Sequence, residues 1–538
     1  MDAPQDETAL CDEASEALAK GDLHKAADVC KSLLVSFPKS ARGYHLTASL
    51  FQATGNYKKA CDYSSAAAEL DSCVAGYHLQ QGQMFYILKE YVQAQKAFER
   101  AVELSNNNAE ACRWLGNTFV ALERFDDALK CFARARAADI SVDTVIDEAE
   151  CALQSGEMEI AEKLLVDYIA SHPKSAQAHY VLAVIAIYMR EFDRAENFLR
   201  KTLALDSRHA QANFYLALLL AESGDELAAM DRLLQALSAE PTNLPALLLL
   251  GGIFMKMGDK AASEKAFSHV LALSPEHLLA WYSLLELLHS ENRGREGIQR
   301  LNTAMESFSG SIPLRHLRSL FSGDVPPCAP REFIAAFYSS FVEMFEPWVV
   351  AASHVPHVET LLKELYELPQ LQGKRHVSLL DLGCGAGVVG EMLADRSVIR
   401  VGVDISPHML KISRRSKHYD VLYDVDIIDY VIGSETVFDV VVAAGSLRWM
   451  GNLQPFFQSV RGVMHKDSIL ACMLDKELST LAYSVANHGR YSHHFSYVND
   501  ISQAEGFDLV SHKEFNCSTP EDDSVARHMF FFKKMTVH

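Results

Sequence analysis

At 538 residues the chain exceeds what one hydrophobic core normally spans, and 49% hydrophobic with 22% charged residues is a globular composition. No run of about 18 uncharged apolar residues exists, which excludes a membrane-spanning helix, and the formal net charge of −20 disfavours nucleic acid as the main partner. An RNA acceptor reached through a local basic patch stays compatible with that charge. The opening MDAPQDETALCDEAS is acidic and lacks the basic-then-apolar layout of a secretory leader, so none is expected. The eleven cysteines are odd in number, scattered and without a C-x-x-C pair. They predict buried free thiols in a cytoplasmic, reducing setting rather than disulfides or zinc, and no metal site is expected.

The first 310 residues repeat. Small residues recur at Ala14, Ala48, Gly82, Gly116, Ala149, Ala183, Ala217 and Gly251. A second small residue follows twelve positions later each time, at Ala26, Ala60, Ala94, Ala128, Ala161, Ala195, Ala229 and Ser263. The step is thirty-four residues, once thirty-three, the length of a helix–turn–helix repeat. Turns are marked by Gly21, Gly55, Gly156, Gly224 and Gly258, and helix ends by Pro38, Pro173, Pro241 and Pro275. Small side chains where antiparallel helices cross let the backbones approach, and Phe98, Phe132, Leu165, Leu199, Leu233 and Phe267 are expected to fill the next layer.

This pattern resembles the tetratricopeptide-repeat family: eight units over residues 8–276 and a degenerate ninth at 278–309, where Leu285 and Gly297 replace the small pair, as suits a terminal cap. The resemblance implies an α-solenoid whose groove binds a protein or peptide. Groove candidates are Arg42, His45, Gln83, Tyr86, Arg113, Asn117 and Tyr180. Arg113 and Asn117, one helical turn apart, can hold a carboxylate, as the clamp of chaperone-tail-binding members does, but the neighbouring units lack the further Lys and Arg such clamps use. A merely solvated polar face is the competing expectation.

Residues 308–330 break the period with four prolines and two glycines, and 311–330 is expected to be a linker between a repeat domain, 1–310, and a second domain, 331–538. LRHLRSLF within it can form a short helix. In the next segment Phe333, Phe337, Phe341 and Phe345 recur every fourth residue, a stripe that predicts core packing. The alternative is a lid placing Tyr338, Phe341 or Trp348 over a ligand.

From 377 the chain alternates apolar strands with helices. Strands are expected at 377–382, 399–404, 420–423, 438–444 and 468–474, with an antiparallel pair at 509–515 and 526–533. Helices are expected from 388, and at 407–416, 453–464, 477–488 and 498–505. Such alternation implies a parallel sheet covered on both faces, with ligands beyond the strand C-termini. There VSLLDLGCGAG breaks on three alternate glycines, Gly383, Gly385 and Gly387, just after Asp381. Asp404, about twenty residues on, can accept both hydroxyls of a ribose. Two adenosine cofactors compete for this loop. GAGVVG at 385–390 matches the dinucleotide fingerprint, but it begins late, after an acidic step. An acid beside the loop suits a cofactor with an amino acid moiety, such as S-adenosylmethionine (SAM), whose ammonium wants a partner.

DLGCGAGVVGEML, VGVDISPHML, the YDVD segment and FDVVVAAGSL are similar to motifs of class I SAM-dependent methyltransferases, which have an α/β Rossmann-like fold. The lead-in APREFIAAFYSSFVEMFEPW and the late GRYSHHFSYV also resemble segments of predicted bacterial methyltransferases carrying tetratricopeptide repeats. The resemblance implies SAM as cofactor, with Gly383, Gly385 and Gly387 against its methionine part and Asp381 close by. It implies Asp404 on the ribose, Ile405 and Met409 near the adenine, Asp426 accepting from the adenine amino group, and Ile427 presenting its main-chain N–H. There are departures: Gly445 stands where an acidic residue often follows the fourth strand, and Phe341 and Glu346 where related helices usually carry Tyr and Asp.

Methyl transfer needs an in-line approach and, for weak nucleophiles, a base. No Asn-Pro-Pro-Tyr run follows the fourth strand, which disfavours an exocyclic amine or amide acceptor. Arg490 is the candidate for binding an anionic acceptor, His493 or His494 for the base, with Arg448 and Trp449 at the acceptor mouth. The competing architecture is a repeat-based adaptor with an inactive methyltransferase domain.

Overall fold

Each repeat closes on the paired small side chains, and the volume lost on one helix is returned by the other. In the computed structural model, which describes residues 6–105, 108–324, 326–352, 356–373, 376–485, 489–516 and 526–535, every alanine of both small series is fully buried. A β-carbon on Gly82, Gly116 or Gly251 would lie 2.5, 2.7 or 2.4 Å from the ring of Phe98, Phe132 or Phe267. Phenylalanine thus stands sixteen residues after each glycine, whereas Leu165 and Leu233 stand sixteen after Ala149 and Ala217. A ring demands glycine opposite it; a branched aliphatic side chain tolerates alanine. Left-handed turns join the two helices of each pair. Where the glycine is missing, Lys89, Glu123, Arg190 and Asn292 take the same left-handed conformation, with φ near 60°.

By packing, the chain forms two compact units, 1–185 and 186–538. In the second unit the degenerate repeat, with helices Leu278–Ser290 and Gly294–Ser307, inverts the size rule: Leu285 sits on the first helix and Gly297 faces it. Nor does that repeat end the packing. Residues 312–322, expected as part of a linker, form a helix (Ile312–Ser322) whose Leu314 and Leu317 are fully buried. They join one core with Leu284, Leu288, Phe333, Phe337 and Trp449.

The long helix Arg331–Ala352 bends at Phe345, just before Pro347, which has no amide N–H to give the helix. Most of its aromatic stripe packs against neighbouring helices. Phe333 and Phe337 are buried, Phe345 stacks on Phe214, and Trp348 lies against Phe192. Phe341 keeps 36% of its surface exposed. On the other side Glu346 accepts hydrogen bonds from the Tyr188 hydroxyl, at 2.8 Å, and from Arg415.

The strands are β1 (Val377–Leu382), β2 (Ser397–Asp404), β3 (Val421–Asp424), β4 (Phe438–Ala443), β5 (Met464–Lys476), β6 (Tyr483–Val485), β7 (Tyr491–His493), β8 (Phe507–Asn516) and β9 (Ala526–Lys534). Their order is β3-β2-β1-β4-β5-β7-β6, with β9 also paired to β5 and β8 to β9. The first five are parallel, and β8 and β9 form the expected antiparallel pair. Strand alternation divides the apolar residues between two cores: Leu380 and Leu382 face one, Val377 and Leu379 the other. The expected helix at 477–488 does not form over 477–485. Glu477 instead accepts from the Ser479 amide and from the hydroxyls of Ser484 and Ser492, and Tyr483–Val485 pairs with β7. Such side-chain bonds compete with a helical turn. Residues 486–488 lie outside the described residues. β7 also extends the row of β4: β5 leaves β4 at Cys472 and meets β7 at Asp475, while β9 holds its other edge.

The size rule is testable. Gly116→Ala is expected to cost about 1–3 kcal/mol in urea unfolding, the range for overpacking a tight core. Adding Phe132→Leu, which reproduces the Ala149/Leu165 pairing, should recover most of it.

Candidate functional site

The chain turns sharply where β1 ends. Gly383, Gly385 and Gly387 have φ of 88°, 52° and 101°, values that side chains disfavour. Their surroundings differ. A β-carbon on Gly383 would meet the Ser446 β-carbon at 2.6 Å, and one on Gly387 the Ser413 and Ser416 hydroxyls at 3.2 Å, whereas one on Gly385 would meet nothing within 4 Å. Gly385 is therefore the point where main chain faces open space, as does Gly445 beyond β4. Ser413 fixes the loop by donating to the Gly385 carbonyl at 2.6 Å, and Ser446 donates to the Leu382 carbonyl at 2.6 Å.

Beneath the loop lies Tyr419, which nothing in the sequence singled out. Its hydroxyl donates to Asp381 Oδ2 at 2.5 Å and accepts from the Gly390 amide at 3.0 Å. Its ring occupies the space a side chain on Gly390 would need, 2.6 Å from a β-carbon there. The last glycine of GAGVVG thus accommodates a tyrosine. The helix after the loop, Val388–Met392, is only five residues long, too short for the dipole a diphosphate uses. Asp381 is buried, and its second oxygen, Oδ1, has no hydrogen-bond partner. Burial pushes its carboxyl up to about 7, against the Tyr419 hydrogen bond and helped by Asp404.

Asp404 ends β2 next to the loop. It accepts from the Gly385 amide at 2.8 Å and the Ser406 amide at 2.9 Å. Burial raises its carboxyl and these amides oppose the rise. Ile405 and Met409 follow, partly buried, Met409 in the first turn of the helix Pro407–Ser416. Asp426 caps the helix Ile427–Gly433 by accepting from the Ile428 and Asp429 amides at 2.8 and 3.4 Å. Its other oxygen is 3.4 Å from Arg331, which also binds Asp429. As first residue of that helix, Ile427 has an amide with no intrahelical acceptor. The structure thus gathers Asp381, the three glycines, Asp404, Ile405, Met409, Asp426 and Ile427 at the C-terminal ends of β1, β2 and β3.

The histidines expected to act as base are not gathered there. His493 is fully buried and bonds the Gly451 carbonyl at 3.2 Å, with its ring pushed down to about 4 by burial. His494 caps the helix Phe495–Ala504 by accepting from Ser496. It lines a cavity with residues of β8 and β9. Arg490 acts on Asp475, which is buried and binds Arg527 at 3.0 Å. Burial raises the Asp475 carboxyl, but Arg448, Arg527 and Arg490 together hold it below its usual range. Trp449 is buried, its indole N–H donating to the Tyr338 hydroxyl at 3.2 Å. Arg448, Asp475, Arg527 and Arg490 make a cationic group beside the loop after β4.

In the first unit the groove candidates are mostly engaged within the array. Arg113 and Asn117 do hold a carboxylate, that of Asp147, at 2.5 and 3.1 Å. Arg42 pairs with Asp12, Gln83 donates to Glu110, His45 packs on Tyr77, and Tyr86 lies edge-on to Trp114. Tyr180 is partly buried. The described cysteines are free, and all but Cys73 and Cys328 are buried.

Against protein-family models, residues 380–470 match a methyltransferase domain, and 86–139, 183–243 and 244–277 match tetratricopeptide repeats. Among curated proteins, a ubiquinone biosynthesis O-methyltransferase of Methylocella silvestris is 26% identical over 132 residues, 24% of this chain and 50% of that protein. A probable 18S rRNA (guanine-N(7))-methyltransferase of Dictyostelium discoideum is 30% identical over 118 residues, 21% of this chain and 40% of that protein. The chain thus spans half or less of the length of these two relatives. Among solved structures, a tetratricopeptide-repeat protein of Parabacteroides merdae is 16% identical with a TM-score of 0.38, covering 44% of this chain and 93% of that one. A Listeria monocytogenes protein assigned as an S-adenosylmethionine-dependent methyltransferase is 16% identical with a TM-score of 0.28, covering 33% and 100%.

Asp381 gives a pH signature. Its carboxyl titrates near 3.8 when unfolded and about 7 when folded, so the folded state holds the proton more tightly. Its contribution to stability is complete below the unfolded value and is lost as pH rises through the folded one. Between pH 5 and 8 the wild type should lose about 2 kcal/mol more stability than Asp381→Asn, read from urea midpoints at the two pH values.

Proposed function

We propose that this chain, which joins a tetratricopeptide-repeat array to a methyltransferase domain, uses SAM to methylate an acceptor brought to it by the repeats. The observation that carries the cofactor assignment is the orphaned Oδ1 of Asp381, at the end of β1 just before the glycine turn. A buried carboxylate oxygen without a partner is costly, and a cationic ammonium or other strong donor relieves that cost. The amino acid part of SAM offers such a group; a dinucleotide diphosphate does not. Asp404, held by two amides, keeps lone pairs on both oxygens for ribose hydroxyls. The amide of Ile427 and the apolar side chains of Ile405 and Met409 suit an adenine, and Asp426 reaches its amino group only in competition with Arg331.

When bound, SAM supplies an electrophilic methyl on sulfur. The chain's part is to hold that methyl in line with the acceptor and keep water out. Ser446, packed on Gly383, and Gly445, facing open space, put the loop after β4 beside the glycine turn. Arg448 and Arg490 favour an anionic acceptor on that side. The absent Asn-Pro-Pro-Tyr run, together with oxygen as the acceptor named for a partial relative, makes a hydroxyl or carboxyl acceptor the first class to test.

A second function is supported by one observation: His493, one of the two histidines expected as base, is sealed from solvent. On that basis the chain acts as an adaptor with a catalytically weak domain. Incubation with methyl-labelled SAM and a fractionated extract separates the two, since labelled product excludes the adaptor.

Isothermal calorimetry on the full chain should detect SAM and S-adenosylhomocysteine but not NAD. Asp404→Ala should weaken binding at least a hundredfold while the circular dichroism spectrum is kept. A folded wild-type protein that binds neither SAM nor S-adenosylhomocysteine would overturn the cofactor assignment.

A further inference from the structure

On the far side of β5 from β4, the ladder of β8 and β9 brings together three side chains that methyl transfer does not use. His512 and Glu514 are two residues apart on β8 and so project from one face. His528 stands directly opposite Glu514 in the antiparallel register, which puts it on that face too. One donor atom from each lies within 4.8 Å of the other two. His512 Nε2 and His528 Nδ1 share a hydrogen bond at 2.9 Å, and Glu514 Oε1 is 3.8 Å from the same His528 nitrogen. The three open on a cavity of about 360 Å³ that Lys476, Glu477, His494 and Phe495 complete.

Packing alone does not account for this group. His528 is 1% exposed among Phe495 and Phe530, and its Nε2 has no hydrogen-bond partner. Phenylalanine would fill the same space without an orphaned polar atom. Two imidazoles sharing one proton beside a carboxylate form a cluster of bases in which a divalent cation can take the proton's place. The donors sit on paired strands, so their spacing is set by the ladder and not by loop conformation. Lys476 holds the second oxygen of Glu514 at 2.7 Å, which leaves Oε1 turned toward the histidines.

We propose that His512, Glu514 and His528 form a binding site for a divalent transition metal of the zinc class. Two imidazole nitrogens and one carboxylate oxygen match the preference of zinc, whereas calcium and magnesium take oxygen donors. Three protein ligands leave a fourth position toward the cavity, open to water or to His494, which lines it. No step of methyl transfer depends on this metal, and the site stands whether or not SAM binds.

The test is titration of the metal-stripped full chain with Co²⁺ and Zn²⁺. The expected result is one equivalent of Co²⁺ with the intense visible bands of a four-coordinate ion, displaced by Zn²⁺, and a melting temperature raised by Zn²⁺ and lowered again by chelator. His512→Gln and Glu514→Gln should each weaken binding at least tenfold while leaving SAM affinity unchanged. His512 is only partly buried and Glu514 is exposed, so both variants are expected to fold, and the shared loss does not rest on the buried His528. A folded wild type with no Co²⁺ bands and no Zn²⁺-dependent shift overturns the site. So does binding that both variants retain at wild-type strength, which would place the metal on other ligands.

Discussion

The second unit depends on the burial of Trp449. The residue follows β4, in the loop that borders the glycine turn, yet its indole lies in an aromatic group with Phe333, Phe337 and Tyr338, 5.3 to 6.0 Å between ring centroids. That group belongs to the same core as the last repeat helices and the helix Ile312–Ser322. Backbone bonds reinforce the seat: the Ala329 amide donates to the Trp449 carbonyl, and Gly451 and Asn452 donate to Pro327. Large rings bury more area than any other side chain and tolerate little displacement. The loop beside the glycine turn is therefore positioned by packing against repeat helices, and the repeats of this unit share one core with the loop after β4.

Charge at the turn follows from burial. Asp381, Tyr419, Cys384 and Asp404 are all removed from water around the turn, and the ionised form of each is disfavoured. Tyr419 compensates one carboxylate oxygen and leaves the other without a hydrogen-bond partner. Glycine serves two purposes here. Gly385 faces open space, while Gly390 leaves room for the ring of Tyr419 and Gly402 for the Leu422 side chain. A fingerprint written in glycines does not distinguish these uses, because both need the same absence of a β-carbon.

The sequence by itself determined the solenoid, the α/β sheet and the arrangement of most of the glycine turn. A thirty-four-residue period, strand-to-glycine breaks and an acid at the end of the second strand are local patterns, set by neighbours along the chain. Even the glycine–phenylalanine exchange between helices is visible there, since its partners are sixteen residues apart. Tertiary structure alone decided the rest, because it depends on residues distant in sequence. Tyr419 reaches Asp381 across 38 residues, Trp449 reaches Tyr338 across 111, and Glu346 reaches Tyr188 across 158. The same holds for what was expected and not found. His493 looked like a base in a polar loop until β7 and Gly451 enclosed it, and Arg113 with Asn117 looked like a clamp until Asp147 of the next repeat filled it. His512, Glu514 and His528 carry no motif spacing, since an antiparallel register, not the chain, makes them neighbours. Local pattern specifies which elements form; which side chains meet is settled only when those elements pack.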